Sequence, residues 1–217
     1  MRLFTLNNKG GPVRPLFKNM WEFFHNAVCM NLDRRPDRWE AVTKEFDRVG
    51  LEVERFRACV NEENRFLGYN ETYHGILSKY QKGGTVLVLE DDVMFKSLAH
   101  MPRALNELPP DWDVLYLGAN LNGTVQMHYS SALRYIRNSL MSHAIAYSEK
   151  MVDYIVDNFD PGSFPIYDEW MRINIQDKFK CFVVAPMVAW QRPGYSDLWQ
   201  THANYVSTVD DGNKILL

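Results

Sequence analysis

The chain has 217 residues and a mass of 25.4 kDa, 46% of them apolar and 24% charged, which suits one soluble domain with one hydrophobic core. Twelve Gly, ten Pro and 13% aromatic residues exclude collagen-like, low-complexity and disordered chains, and a net charge of −3 excludes the electrostatic footprint of a duplex nucleic-acid binder. No apolar run approaches the ~20 residues of a membrane span. Residues 1–26 hold no apolar core or small-residue cleavage site, so they do not read as a signal peptide. Cys29, Cys59 and Cys181 sit in apolar, strand-like contexts and read as buried thiols of a reducing, cytoplasmic compartment.

In chain order, Gly10-Gly11-Pro12 and Pro15 break any element, so residues 1–26 read as an extension. A buried strand follows at 27–32. Pro36 then opens a helix in which Trp39, Val42, Phe46 and Val49 recur at three- and four-residue steps, and Gly50 stops it. A second strand is expected over 53–59, a polar loop over 61–68, and a helix carrying Tyr73, Ile76, Leu77 and Tyr80. The β-branched run 85–89 is the best central strand. Further elements are a short helix near 102–108, a strand at 114–117, a weakly patterned segment over 124–137, a strand at 143–147, helices over 149–158 and 168–179, and a strand at 182–185. The segment 193–217 reads as loop. Strands alternating with helices predict an α/β fold, a single domain whose mostly parallel sheet is covered on both faces.

The most informative residues are Glu90-Asp91-Asp92, three carboxylates directly after Val86-Leu87-Val88-Leu89. Ligands of open parallel sheets collect at the carboxyl ends of the strands. Three like charges there repel unless donors or a cation compensate them. A hard divalent ion such as Mn²⁺ or Mg²⁺, sharing its sphere with substrate phosphates, fits that chemistry. The bland alternative is a solvated acidic turn, and the buried strand upstream argues against it. Asn31, Asp33, Arg34, Arg35 and Arg38 follow the first strand, where nucleotide-binding sheets meet base, ribose and phosphate. For Arg35 and Arg38 the competing reading is exposed charge at a helix start, and Asp37 reads as a complement to the helix dipole.

The run Thr85–Val93 resembles the metal motif of glycosyltransferase family 25, the lipopolysaccharide-type and procollagen-type galactosyltransferases. Other pieces appear in that family's order. They are Ala27–Arg38 with Asn31-Leu32-Asp33-Arg34-Arg35-Pro36-Asp37-Arg38, then Arg55-Phe56-Arg57-Ala58, then Asp111–Gly118, then Phe164–Glu169, and last Ala185-Pro186, Gln191 and Ser196-Asp197. The resemblance spans residues 27 to 197, and it is the ordered set that makes it specific. It implies a GT-A fold, a nucleotide-sugar donor and a hydroxyl acceptor. In that reading Asp92 would ligate the metal bridging the donor diphosphate, with Glu90 in the other outer position of the motif. Glu90 or Asp91 would hold the ribose or order the site.

Asp168 matches the family's position for a general base, which an inverting transfer needs to accept the acceptor hydroxyl's proton; Glu169 is the second choice. The plain alternative is a helix cap with a first-turn acid. His202 is a candidate for the metal sphere, as a late histidine is in many GT-A enzymes. His74 roughly matches a Ser-His pair and stands as a donor-site candidate, against a structural role. His143 replaces a glycine usual in the related sequences, a departure on the acceptor side. Tyr167, Trp170, Trp190, Tyr195 and Trp199 offer aromatic faces to a sugar, although most such rings go to core.

These readings converge on a metal-dependent glycosyltransferase moving a sugar, UDP-linked by the resemblance, to a glycan or lipid-linked saccharide with inversion. No nucleic-acid partner and no membrane span are expected. The alternatives are a metal-dependent phosphohydrolase, for which Asp113 and Asp168 are the only tempting extra ligands, and a non-catalytic glycan-binding domain on the same fold.

Overall fold

The computed structural model describes residues 5–6, 12–13 and 19–216. Two short strands, β1 (Thr5–Leu6) and β2 (Pro12–Val13), pair antiparallel. The rest of the stretch read as an extension, up to residue 18, lies outside the described residues. A 3₁₀ turn over Met20–Phe23 buries Trp21 and Phe23 and leads into β3 (Asn26–Asn31).

Helix α1 (Pro36–Val49) starts with proline at its first position, where the missing N–H costs nothing, and ends at Gly50 in the left-handed region (φ 66°). Strand β4 (Glu54–Arg57) follows, then α2 (Arg65–Lys79). This helix begins inside the expected loop because the Asn64 side chain caps it by accepting from the Leu67 N–H at 3.2 Å. The next elements are β5 (Val86–Glu90), β6 (Val93–Phe95), α3 (Met101–Glu107), β7 (Val114–Tyr116), β8 (Met127–His128), β9 (Leu133–Tyr135) and β10 (Ala144–Tyr147). Then come α4 (Glu149–Asn158), α5 (Tyr167–Asn174), β11 (Cys181–Val184), β12 (Ala189–Gln191), β13 (Gly194–Ser196), β14 (Thr201–Ala203) and α6 (Val206–Leu216).

Eight of these strands form the central sheet in the order β4-β3-β5-β10-β7-β11-β9-β8. Strands β4, β3, β5, β7, β11 and β8 share one direction; β10 is inserted antiparallel between β5 and β7, and β9 antiparallel between β11 and the edge strand β8. The α/β layering expected from the sequence is therefore present, with a mixed pairing pattern. Along β5 the run is apolar at every position because both faces are covered. Val86 and Val88 join Tyr73, Ile76, Leu77, Val152 and Ile155 of α2 and α4 on one face. Leu87 and Leu89 join Val42, Phe46, Met101 and Leu105 of α1 and α3 on the other, together with Trp21 and Phe23.

The segment expected to be loop beyond residue 193 carries the β13–β14 hairpin and α6. Helix α6 contains Val206, Thr208, Val209 and Gly212, poor helix formers, so local propensity hides it; burial of Val209 and Leu216 on the core holds it. Strand β12 pairs with β6 and docks on the end of β7, where Val188 and Ala189 donate to the Leu117 carbonyl at 2.8 and 3.0 Å. Among the described residues, no helix is long and apolar enough to cross a membrane.

Candidate active-site cleft

The chain leaves β3 for β4 on one side and returns for β5 on the other, so the sheet has a topological switch at β3 and β5. A cleft of about 460 Å³ opens there, lined from the ends of β3, β4 and β5, the start of β10, the first turn of α5 and the segment 191–200. Glu90, Asp91, Asp92 and Asp168 all line it, as do Asn31, Arg34, Arg35 and Arg38. Arg34 and Asp197, 163 positions apart in sequence, are thus brought onto one site.

Asn31, 2% exposed, organises the first strand's end. Its Nδ2 donates to Asp91 Oδ2 at 2.6 Å and to the Arg35 carbonyl at 3.1 Å, and its Oδ1 accepts from Arg55 at 2.6 and 3.0 Å. Arg38 reaches the acidic triplet directly, 2.6 Å from Asp91 Oδ1 and 2.7 Å from Asp92 Oδ2. Burial would push the Arg38 guanidinium down, but Asp92 and Asp91 outweigh it and hold the group firmly charged. Asp91 shows the opposite balance: burial pushes its carboxyl up to about 6 despite Arg38.

Glu90 hangs beneath a pair of tyrosines. Its Oε1 accepts from Tyr69 at 2.8 Å and lies 3.4 Å from the Tyr73 hydroxyl, and its Oε2 accepts from Gln191 Nε2 at 3.2 Å. Burial, then repulsion from Asp92 and Asp168, raises its carboxyl well above the usual range. Asp168 does not act as a helix cap. Its Oδ2 accepts from the Met141 N–H at 2.9 Å, and its Oδ1 accepts from Ser142 Oγ and lies 3.3 Å from the Tyr69 hydroxyl. Met141 holds a left-handed backbone (φ 73°), a conformation that a side chain with Cβ rarely adopts, and it aims that N–H at the carboxylate. Burial raises the Asp168 carboxyl as well, opposed by these donors.

Four expected residues lie away from the cleft. Asp33 is exposed and paired with Arg55 and Arg57 at 3.1 and 3.7 Å. His74 faces α4, with Nε2 3.4 Å from the Val156 carbonyl. Glu169 turns back along α5 to pair with Arg172 at 2.6 Å. His202 is exposed on β14, edge-on to Tyr195 at 5.7 Å. Cys59, read as buried, is half-buried and lines the cleft, whereas Cys29 and Cys181 are buried thiols. Asp113 accepts from the Lys180 N–H at 2.8 Å at the start of β7, the end of the sheet remote from the cleft, so it adds no ligand to a phosphohydrolase site.

His143 is fully buried with Nε2 3.2 Å from the Ala189 carbonyl, so Nε2 carries the proton; burial holds the ring below its ordinary pKa and neutral. Among the described residues its Nδ1 has no partner, and neither has the buried Asp92 Oδ1. Asp92 Oδ1 is the carboxylate oxygen of the triplet that could serve a divalent cation, because both oxygens of Glu90 and both of Asp91 are already bonded. Among the described residues, no three His, Cys, Asp or Glu side chains converge as a ready metal cage. An ion here would take Asp92 and draw its remaining oxygens from water and a phosphate ligand, a common arrangement for Mg²⁺.

The sequence reading passed over Tyr69, Ser142 and the role of Asp197. Tyr69 and Tyr73, four apart on α2, were legible as one helix face, yet nothing local showed that the face meets Glu90. Asp197 gathers the loop arginines: it pairs with Arg35 and lies 3.4 Å from Arg34 and 4.0 Å from Arg38, closing the segment 192–200 over the cleft.

No family model matches the chain. Two curated proteins do: a glycosyltransferase 25 family member of Drosophila melanogaster, 26% identical over 86% of this chain, and one of Drosophila pseudoobscura pseudoobscura, 31% identical over 43% of it. The chain spans 38% and 20% of the lengths of these relatives. Among solved structures, a glycosyltransferase involved in glycosylation of the major capsid of PBCV-1 superposes with a TM-score of 0.47 at 10% identity, covering 86% of this chain and 89% of that one. The A197 protein from STIV superposes with a TM-score of 0.45 at 11% identity, covering 82% and 92%. Across most of its length, then, this chain is similar in sequence to one curated member of glycosyltransferase family 25, the family its ordered motifs resemble, and over less than half of it to a second.

Proposed function

We propose that this chain is a GT-A-type glycosyltransferase domain that moves a sugar from a nucleoside diphosphate donor, UDP-linked, to a hydroxyl of a glycan or lipid-linked saccharide, with inversion. The observation that carries this reading is the placement of Asp168, Asp92 and three arginines on one cleft at the switch point of the sheet. Arg34, Arg35 and Arg38 supply the fixed positive charge that a diphosphate needs. Asp92 would hold a Mn²⁺ or Mg²⁺ ion, which would stabilise the charge developing on the leaving diphosphate. Asp168 takes the proton of the attacking hydroxyl. Its acceptor bonds from Met141, Ser142 and Tyr69 fix the carboxylate's orientation, and its raised pKa strengthens it as a base. Free thiols at Cys29, Cys59 and Cys181 suit the reducing cytoplasm in which this reading places the protein.

Isothermal titration with UDP in the presence of Mn²⁺ tests the donor assignment, and absence of binding sinks it. Asp168→Asn is expected to lower transfer by about 10²–10⁴-fold while leaving UDP affinity near that of the wild type. Equal loss of both would make Asp168 a binding residue.

A further inference from the structure

Of the five aromatic residues with faces to offer a ligand, Tyr167, Trp170 and Trp190 are 0%, 6% and 3% exposed and belong to the core, whereas Tyr195 and Trp199 are 43% and 53% exposed and line the cleft. Tyr195 lies on β13 against His202 of β14, and Trp199 lies against the start of α2. An exposed ring needs no explanation by itself. Trp199 is held in place without being covered. Phe66 packs against it steeply tilted, at 5.1 Å and 67°, a contact with a single ring that leaves more than half of the Trp199 surface exposed. Its own N–H donates to Ser196 Oγ at 3.2 Å, the preceding Leu198 carbonyl accepts from Arg65 at 3.1 Å, and Asp197 is gripped by Arg34 and Arg35. Val60, in the loop leaving β4, is 54% exposed and lines the same cleft.

Position along the cleft says what the ring can meet. Phe66 and Arg65 open α2, directly after the β4 loop, so Trp199 and Val60 mark the end of the cleft beyond β3 and β4. Glu90 and Asp168 mark the end at β5 and β10. Arg34, Arg35 and Arg38 follow the end of β3. The order is apolar surface, then cations, then carboxylates. A nucleoside diphosphate sugar carries its groups in that order: a flat base, a diphosphate, and the sugar whose transfer needs the base catalyst. We infer that Trp199, with Val60, is the stacking platform for the heterocyclic base of the nucleotide. The inference rests on the nucleotide-donor reading above and names the part of the cleft that reads the base.

The test compares UDP with inorganic pyrophosphate by calorimetry on the full chain with Mn²⁺, for the wild type, Trp199→Ala and Trp199→Phe. Base–aromatic stacking lost on alanine substitution weakens binding by roughly tenfold to a hundredfold. UDP binding should therefore weaken by that factor in Trp199→Ala, pyrophosphate binding should stay unchanged, and Trp199→Phe should stay close to the wild type. In wild-type protein, UDP should also quench tryptophan emission by a component that Trp199→Phe lacks, a readout that does not need the alanine variant to fold. Unchanged UDP affinity in Trp199→Ala, or equal weakening for UDP and pyrophosphate, overturns the platform while the donor reading stands. Wild-type protein that binds neither probe overturns both.

Discussion

The Tyr69 hydroxyl lies 2.8 Å from Glu90 Oε1, and the same oxygen is 3.3 Å from Asp168 Oδ1. One phenol proton cannot serve two carboxylates at once. A second proton is needed, and Glu90 is the group whose burial and charged neighbours favour carrying it. Tyr69 thereby joins the end of β5 to the first turn of α5, and the electrostatic state of the proposed base depends on it.

With Glu90 carrying the second proton, the Tyr69 hydroxyl donates to Asp168, and replacing Tyr69 by Phe removes a hydrogen bond that lowers the Asp168 pKa. That pKa should rise further. A base must be deprotonated to act, so activity is lost as pH falls through its pKa. The acidic limb of the rate–pH profile should accordingly move to higher pH in Tyr69→Phe. A profile of kcat/KM with the limb unmoved or shifted downward would separate Tyr69 from Asp168.

Asp91 gives a prediction on stability alone. Its carboxyl titrates at about 6 in the fold against 3.8 ordinarily, so the native state holds the proton more tightly than the unfolded chain. Stability from this group is full below the unfolded value and is lost as pH rises from about 4 to about 6, by roughly 2–3 kcal/mol. Asp91→Asn cannot titrate. Urea unfolding of the two proteins across that range should show the variant gaining on the wild type as pH rises; a constant difference would mean that Asp91 is not perturbed by burial.

Asn31→Ala should destabilise the fold by about 2–4 kcal/mol. The truncation strips Asp91 Oδ2 of its donor and Arg55 of its acceptor at a position 2% exposed. Chemical denaturation measures the loss directly. A cost under half a kcal/mol would show that water replaces the side chain freely, which the burial argues against.

Gly118→Ala tests the docking of the β6–β12 pair. A Cβ at this position would collide with the Ala189 carbonyl and come within 2.7 Å of His143 Nε2. Backbone cannot give way as a flexible side chain can, so the variant should lose about 3 kcal/mol or fail to fold. A variant with unchanged Tm would show that β12 is free to move away from β7.

The layered fold and the acidic triplet are legible in the residues alone. A run as apolar as Val86–Leu89 requires cover on both faces, and Glu90-Asp91-Asp92 directly after it had to lie at a strand's carboxyl end. Proline at 36 and glycine at 50 likewise bounded α1, because those two residues act through their own backbones. Which charges face one another depends on packing between elements. Periodicity shows that Tyr69 and Tyr73 share a face, but which carboxylate that face meets depends on how α2 crosses the sheet. Asp168 and Glu169 are neighbours of equal chemistry in sequence; a helix turns successive side chains by about 100°, which sends one to Met141 and Ser142 and the other to Arg172. Asp197 and Trp199 are visible in the sequence as a motif residue and an aromatic, but not their places on the cleft, since Arg34 and Phe66, which seat them there, come from more than 130 positions away.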